Sequence, residues 1–519
     1  MASLIRQCRR LLRRRRVAWW VSAVVALVIL LSLIVVGRAP AAHVWLTGRP
    51  TGQVSQLPAF SIDTSVASAR AISPLLYGFG AGVSTSTYAP PQAGLAPVLA
   101  ARLRQAGATA VRFGADSADI LDWQKSVLYG DEGIPHAQVG DSASRYPAID
   151  SFRAFAGANG LQPIITVNGE IDDPRQAAQL VDYVETHSPS PPTYWEIGNE
   201  PYSWQHFALP LDQRRVTDQQ KATPDEYAAV VVAYSKAMQA AASRHGHHLR
   251  IIADEWITNA TDQSWTASVD VIDTHYYAFF GPPSPPPPPH NEDIARGAVT
   301  STAPQRPSLA SWLADLQSSI RGFAGSEDLQ VMVGSWGIDG GGSSDRYSDY
   351  TQGLFVATML SQMIAGGVTI ANMYPFYGED QSLLDPHGAP RAGLYVFDLY
   401  THHFGRWAVP VRANAAADNA HLWAVAAATS RRGGDMTILV INGDPLHARR
   451  ATLALGKDAA AHWQPVADLW TLSPDAPDSA PFYGTHGLRH TVARLNFTTT
   501  GVSVSLPPYT LTLFHLRRR

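Results

Sequence analysis

The sequence contains little cysteine and little net charge. Cys8 is the only cysteine among 519 residues, so the chain can form no internal disulfide and no cysteine-based metal site. The formal net charge is −3 and the isoelectric point is about 6.6, which excludes the overall basic surface expected of a nucleic-acid-binding protein. Hydrophobic residues make up 45% of the chain, so we expect folded domains held together by core packing, without a nucleic-acid partner.

The basic residues that do cluster lie at the N-terminus, before an uncharged run. Arginines are concentrated in residues 1–16, and residues 17–36 carry no charged side chain. That run is long enough to cross a bilayer as a helix, and the arginines place its N-terminal side in the cytoplasm. We predict a cytoplasmic tail (1–16), a transmembrane signal-anchor (17–36) and a linker (37–58), with the later domains outside the cytoplasm. The alternative is a cleaved signal peptide and a secreted protein, because residues 39–41 resemble a small-residue cleavage site.

Short apolar runs alternate with amphipathic stretches between residues 71 and 405. This alternation is typical of repeated β–α units around a parallel sheet. Eight such units fit a closed (β/α)8 TIM barrel better than an open doubly wound sheet. The predicted strands are 76–82, 110–115, 163–168, 193–199, 250–254, 271–275, 330–334 and 368–374, and predicted helices include 148–157, 174–186, 224–245, 308–323 and 347–365.

C-terminal to the barrel, the pattern changes to an alternation with period two, interrupted by glycine-bearing turns. Such segments predict an all-β sandwich over residues 406–519, and the strand-like residues 59–70 are predicted to join it. No glycine-rich phosphate-binding fingerprint follows a predicted strand, so no cofactor is expected. We interpret His245, His247 and His248, which follow a predicted helix, as a solvated basic turn rather than a metal site.

The most informative motif ends the fourth predicted strand, where residues 195–201 read Trp-Glu-Ile-Gly-Asn-Glu-Pro. It resembles the acid/base motif of clan A glycoside hydrolases. The resemblance implies that Glu200 protonates the glycosidic oxygen and that Asn199 contacts the sugar 2-hydroxyl. Such chemistry requires a partly desolvated carboxyl group. The alternative is a glutamate at a helix start without a catalytic role. Glu196, inside the same strand, either supports the site or faces a helix.

Two other strand ends extend the resemblance. Residues 111–119 are similar to the arginine-containing second strand of the heparanase, bacterial β-glucuronidase and α-L-arabinofuranosidase-like families, which implies that Arg112 supports the catalytic carboxylates. A buried structural arginine is the alternative. His275 and Tyr277, at the end of the sixth strand, resemble a His-x-Tyr pair whose tyrosine orients the nucleophile. The other predicted substrate-binding residues are Trp204, Trp336 and Tyr374.

The seventh predicted strand departs from the family pattern at the position that decides activity. Residues 331–342 and the helix that follows resemble the strand-seven region of the heparanase family, which places a glutamate after its first glycine. Here the aligned residue is Ser335. A retaining mechanism needs two carboxyl groups about 5–5.5 Å apart, one of which attacks the anomeric carbon. A serine hydroxyl without a paired base is a poor substitute.

Three interpretations follow from this serine. In the first, another carboxylate at the barrel rim replaces the glutamate. If that carboxylate lies further from Glu200, the enzyme is inverting, because inverting pairs stand about 6.5–9.5 Å apart. In the second, the protein binds glycans without cleaving them. In the third, it is a transglycosylase that accepts a donor of opposite anomeric configuration. The candidate carboxylates are Asp339, Glu255, Glu170, Glu379 and Asp380.

The sequence as a whole therefore predicts a membrane-anchored, outward-facing TIM barrel with a β-sandwich. Its expected activity is on O-glycosidic bonds of an extracellular or cell-envelope polysaccharide, with an oligosaccharide or polysaccharide as its binding partner. A non-catalytic glycan-binding protein and a transglycosylase remain the alternatives.

Overall fold

The computed structural model describes the part of the chain that follows the predicted tail, anchor and most of the linker. The described residues are 57–82, 95–130, 134–139, 146–215, 217, 219–279, 307–323, 325–339, 349–378, 381–419, 421–474 and 485–519. The predicted segments 1–16 and 17–36 lie outside these ranges. Within them, no helix combines the length and the apolar character that crossing a membrane requires.

Eight parallel strands close into a barrel, as the sequence predicts. Their order around the barrel follows their order in the chain, and the last strand pairs with the first through Asn372 and Gly78. The barrel strands are β1 (Gly78–Gly80), β2 (Ala110–Phe113), β3 (Gln162–Val167), β4 (Tyr194–Ile197), β5 (Arg250–Asp254), β6 (Val271–Phe279), β7 (Gln330–Asp339) and β8 (Ile370–Met373).

Helices cover the outside of the barrel and begin at recognisable capping residues. Thr223 forms a reciprocal capping box with Glu226, and Asp173 and Ser308 cap two further helices through their side-chain oxygens, which satisfies amide groups that have no partner within the helix. The described α-helices are Leu95–Ala106, Pro147–Asn159, Pro174–His187, Pro224–Ser243, Leu309–Arg321, Asp349–Gly366, Ala392–Asp398, Ala415–Asn419 and Ala459–His462.

The strands β6 and β7 are longer than the sequence predicts. The two predicted runs ended at residues 275 and 334, whereas the observed strands continue to Phe279 and Asp339. They remain paired with each other beyond the barrel, with Tyr277 opposite Gly337. The buried part of each strand also continues past the predicted run, because Tyr276 and Ala278 in β6 and Trp336 and Ile338 in β7 are buried.

The C-terminal region forms two β-sheets, in agreement with the predicted sandwich. A four-stranded sheet contains the early strand Ala59–Ile62, which lies between Val411–Ala413 and Arg449–Ala454, with Gly501–Leu506 at one edge. The other sheet has seven strands, in the order Arg70–Ala71, Trp407–Val409, Leu422–Ala428, Met436–Asn442, Thr510–Arg518, Trp463–Leu472 and Arg489–Arg494. A small three-stranded sheet follows β2 and comprises Leu121–Asp122, Val127–Tyr129 and Pro135–Gln138.

The barrel interior is apolar near the bottom and polar above. A cluster of fully buried side chains fills its lower part: Ala110, Ile164, Ile252, Val271, Met332 and Ile370. Two residues further along β2, β4 and β6, on the same face because side chains alternate, stand Arg112, Glu196 and Asp273, each at most 1% exposed. A charged layer therefore lies under the C-terminal mouth, where active sites of such barrels are built.

The helix Asp349–Gly366 connects the barrel with the sandwich and is buried on nearly all sides. We predict that Leu354→Ala, at a side chain that is 0% exposed, lowers the free energy of unfolding by about 2–5 kcal/mol because it leaves a cavity. Val98→Ala, at a side chain that is 38% exposed, is the control, with an expected loss below about 1 kcal/mol. Urea denaturation measures both changes, and equal losses would contradict this account of the core.

Candidate active site

Glu200 follows β4 in a conformation that side chains seldom adopt. Its φ is 44° and its ψ is 58°, in the left-handed region, and Gly198 just before it also has a positive φ of 70°. Strain of this kind concentrates at functional sites. The turn is followed by a short helical segment that begins at Pro201. The Glu200 side chain is 22% exposed, so its carboxylate stands at the mouth of the barrel.

Trp204 and Asp119 hold this turn from below. The Asp119 carboxylate accepts hydrogen bonds from the backbone N–H of Asn199 at 3.0 Å and from the Trp204 indole N–H at 3.0 Å. A Cβ atom on Gly198 would come within 2.3 Å of the indole, so the glycine is required for this close packing. Trp204 is only 3% exposed. The prediction that it contacts substrate is therefore corrected: its indole supports the turn that carries Glu200.

Arg112 connects β2 with β4 inside the barrel. Its guanidinium donates to both carboxylate oxygens of Glu196, at 2.6 and 2.8 Å, and to the side-chain oxygen of Asn199 at 2.8 Å. Thr166 donates to Glu196 as well. Glu196 thus faces the barrel interior rather than a helix. Arg112 is 1% exposed and lies behind Asn199. This position agrees with the supporting role that the resemblance implies, and it corrects the prediction that Arg112 itself contacts substrate.

His275 bridges two carboxylates. Its Nδ1 atom lies 2.8 Å from Glu200 Oε1, and its Nε2 atom lies 3.1 Å from Asp273 Oδ2. Asp273 also accepts a hydrogen bond from the Gly334 amide. A Cβ atom on Gly334 would fall 2.1 Å from this carboxylate, so β7 can lie against Asp273 only because residue 334 has no side chain.

This bridge determines the charge of its members. Burial alone lowers the pKa of His275, but the charge of Asp273 and the hydrogen bonds to Asp273 and Glu200 outweigh it and raise that pKa well above its ordinary value. Burial raises the pKa of Glu200, yet the hydrogen bond and charge of His275 outweigh burial and lower it. His275 likewise outweighs burial and lowers the pKa of Asp273. A protonated imidazole thus lies between two ionised carboxylates.

Ser335 and Tyr277 meet on the neighbouring strands. The Tyr277 hydroxyl lies 2.6 Å from Ser335 Oγ. The Tyr277 ring passes over Gly337, where a Cβ atom would come within 3.1 Å of it. Tyr374 packs against Gly80 of β1 at the same end of the barrel. Trp336, by contrast, is 0% exposed, and its predicted contact with substrate is corrected to a position in the core.

The remaining candidate carboxylates differ in their surroundings. Glu170 forms a buried ion pair with Arg214 at 2.8 Å and accepts hydrogen bonds from two backbone amides of residues 205 and 206, so it ties the loop after β3 to the segment after β4. The backbone of Asp339 ends β7, and its side chain lies outside the described part of the structure. The candidates Glu379 and Asp380 lie outside the described residues altogether.

Glu255 follows β5 and packs under the indole of Trp312. The indole nitrogen lies 3.2 Å from Glu255 Oε2 and donates to Thr274 at 2.9 Å. Burial, only partly offset by hydrogen bonds from Thr274 and Trp312, raises the pKa of Glu255 to about 7. The carboxyl group is therefore substantially protonated at neutral pH.

One group of described residues brings together atoms that are suited to a metal ion. Glu196, Asp273 and His275 each offer one such atom, and these atoms lie within 4.8 Å of one another. Arg112 is paired with Glu196, however, and Glu196 and Asp273 hydrogen-bond each other. Burial and the neighbouring Asp273 raise the pKa of Glu196, whereas His275 outweighs burial and lowers the pKa of Asp273. The arrangement fits a proton-holding network better than a metal site. His245 and His247 each contact a single carboxylate elsewhere.

The sequence analysis missed two members of this site. Asp273 stands two residues before His275, and the alternation of a strand places both on one face, so the sequence contained the signal. Tyr202 hydrogen-bonds Glu200 from the segment after the catalytic-type motif. It is 49% exposed, and no periodic pattern in the sequence marks it.

The buried pair of Arg112 and Glu196 should dominate the stability of the barrel interior. We predict that Arg112→Met lowers the free energy of unfolding by about 3–5 kcal/mol, because it leaves a buried carboxylate without its partner. Arg175→Met, which breaks an exposed pair with Asp173, should leave the urea midpoint unchanged. An Arg112 variant as stable as the control would contradict the assigned role.

The bridge also predicts the titration of His275. The imidazole should remain protonated to a higher pH than an ordinary histidine and lose its proton only as the pH rises through the raised pKa. Asp273→Asn should bring that pKa down. The 13Cε1 chemical shift, assigned by comparison with His275→Gln, follows the titration by NMR. A His275 that is already neutral at pH 6 would refute the charged bridge.

Solved structures resemble this chain, whereas no protein-family model and no curated protein matches it. The α-L-arabinofuranosidase of Thermotoga maritima, solved with arabinose, superposes with a TM-score of 0.66 at 15% identity, over 89% of this chain and 100% of that one. A family 51 arabinofuranosidase of Xanthomonas axonopodis pv. citri gives 0.67 at 14% identity, over 89% and 99%. A family 44 xyloglucanase of Paenibacillus polymyxa gives 0.62 at 13% identity, over 89% and 100%. The chain thus shares the fold of these glycoside hydrolases.

Proposed function

We propose that this protein is a glycoside hydrolase that cleaves O-glycosidic bonds of a polysaccharide outside the cytoplasm, with Glu200 as the general acid/base. The observation that carries the proposal is the setting of Glu200. A partly exposed carboxylate stands on a strained turn at the mouth of the barrel, and it is fixed by His275 at 2.8 Å. A catalytic group needs such fixed geometry because misplacement is costly in rate.

The neighbouring side chains suit this chemistry. The side-chain oxygen of Asn199 accepts a hydrogen bond from Arg112, and its backbone N–H donates one to Asp119. The orientation of Asn199 is therefore defined before a sugar binds. Tyr202 and His275 both hydrogen-bond Glu200. These contacts support a pre-organised site in which one carboxylate exchanges a proton with a sugar oxygen or a water molecule.

The substrate class follows from the same proposal. The structural neighbours include arabinofuranosidases and a xyloglucanase, so furanosides and β-linked glucans are the first substrates to examine. The uncharged run 17–36 with its preceding arginines supports attachment to a membrane, with the barrel on the outer side.

A second candidate is glycan binding without cleavage. Ser335 favours it, because this residue of β7 carries a hydroxyl that is hydrogen-bonded to Tyr277, at the position where the resemblance implies a glutamate. A serine offers no carboxylate at this position, so a double displacement through residue 335 has no nucleophile.

Turnover by the full-length protein in detergent distinguishes the two candidates. We expect hydrolysis of at least one member of a panel of 4-nitrophenyl furanosides and pyranosides, together with arabinan and xyloglucan. Glu200→Gln should lower kcat/KM by about 10²–10⁴-fold, the usual contribution of general acid–base catalysis. The matched control is Glu327→Gln, at an exposed glutamate before β7, which should leave kcat/KM unchanged.

Equal activity of the Glu200 and Glu327 variants would refute the role of Glu200 in the hydrolysis. The absence of turnover by the unmodified protein, combined with oligosaccharide binding measured by calorimetry, would decide against hydrolysis and establish the glycan-binding alternative.

A further inference from the structure

A cavity of about 380 Å³ lies beside Glu200, over the end of β5. Tyr202 connects the two, because its side chain lines the cavity and its hydroxyl hydrogen-bonds Glu200. Trp256 and Trp312 contribute aromatic rings to the lining of the cavity, and Asp254 and Glu255 line it too. Its volume suits a single sugar unit, and aromatic walls with a few polar groups are typical of small-molecule sites.

We propose that Glu255 is the proton donor of the hydrolysis and that the cavity receives the departing sugar. This inference rests on the proposed function. In this assignment Glu200 is the base that accepts a proton from the attacking water, and Glu255 is the acid that protonates the leaving oxygen. The two glutamates thus act together in an inverting mechanism.

The surroundings of the two glutamates support this division. Two acid/base roles require two carboxyl groups whose environments drive their proton affinities apart. Glu200 lies against the protonated His275 and is held ionised. Glu255 lies against the Trp312 indole, and burial raises its pKa to about 7, so that its carboxyl group is about half protonated at neutral pH. A carboxyl group packed against an indole and partly withdrawn from water is well suited to donate a proton.

The reaction balances without any further reagent. The oxygen of a water molecule forms a bond to the anomeric carbon as the bond from that carbon to the leaving oxygen breaks. The proton of the water passes to Glu200, and the proton of Glu255 passes to the leaving oxygen. Solvent then returns both side chains to their starting states. Because water attacks directly, no nucleophile is needed at Ser335, and the anomeric configuration is inverted.

The titratable groups around Glu255 come from four elements. Asp254 precedes it in the chain, and Asp273 and His275 belong to β6. Tyr202 lies in the loop after β4, and Asp315 is an exposed residue of the helix Leu309–Arg321. Among them His275 alone carries positive charge. Because His275 hydrogen-bonds Glu200, its charge favours the ionised form of Glu200 more strongly than that of Glu255.

The pH dependence and the leaving group test this assignment in the full-length enzyme. For the glycoside that turns over, activity should fall as the pH rises through about 7, where Glu255 loses its proton. Glu255→Gln should abolish this limb and lower kcat/KM by about 10²–10⁴-fold for the polysaccharide, whose departing sugar oxygen must receive a proton. The same variant should lose less than about 10-fold with the 2,4-dinitrophenyl glycoside, whose leaving group departs without a proton.

Glu200→Gln provides the matched comparison. It should be impaired with both leaving groups, because attack by water needs a base in either case. NMR of the first product should show inverted anomeric configuration. Retained configuration, an unchanged pH limb in Glu255→Gln, or rescue of Glu200→Gln instead of Glu255→Gln by the better leaving group would overturn the assignment while hydrolysis itself stood. Absence of turnover by the unmodified enzyme would overturn the proposed function and this assignment together.

Discussion

The bidentate pair between Arg112 and Glu196 is the interaction on which the site depends. Both groups are buried inside the barrel, where an isolated charge would be very costly, and their two parallel hydrogen bonds compensate for much of that cost. Arg112 also holds Asn199, next to Glu200. The charged layer therefore fixes the distance between β2 and β4 and positions the turn at the barrel mouth.

A second constraint arises where β6 meets β7. The barrel interior accommodates Asp273 only because Gly334 has no side chain. The charge of Asp273 keeps His275 protonated, and His275 in turn keeps Glu200 ionised. The negative charge at this side of the site is thus carried by Asp273 of β6, two residues before the histidine, while β7 contributes the hydroxyl of Ser335. The charge distribution under the mouth differs from one in which two carboxylates face each other across the cleft.

The sequence predicts the barrel well because apolar runs mark strands that are buried on both faces. The prediction of a role for Glu200 rests on a local motif, because its seven residues, 195–201, are contiguous in the chain. The sequence misplaces Trp204 and Trp336, because an aromatic residue near a motif can face either the cleft or the core, and packing with distant residues decides which. The raised pKa of Glu255 is equally non-local, since it results from burial among residues that include Trp312, 57 residues away.

Glu200 and Glu255 illustrate how one residue type acquires two chemical characters on one rim. Their ordinary proton affinities are the same, and both are substantially withdrawn from water. The difference comes from the group each one touches, an imidazolium for Glu200 and a neutral indole for Glu255. A positive charge at hydrogen-bonding distance stabilises the ionised form, whereas an indole N–H only partly offsets the loss of hydration. Roles at this site therefore follow from the charge of the neighbours, and a resemblance in sequence alone does not assign them.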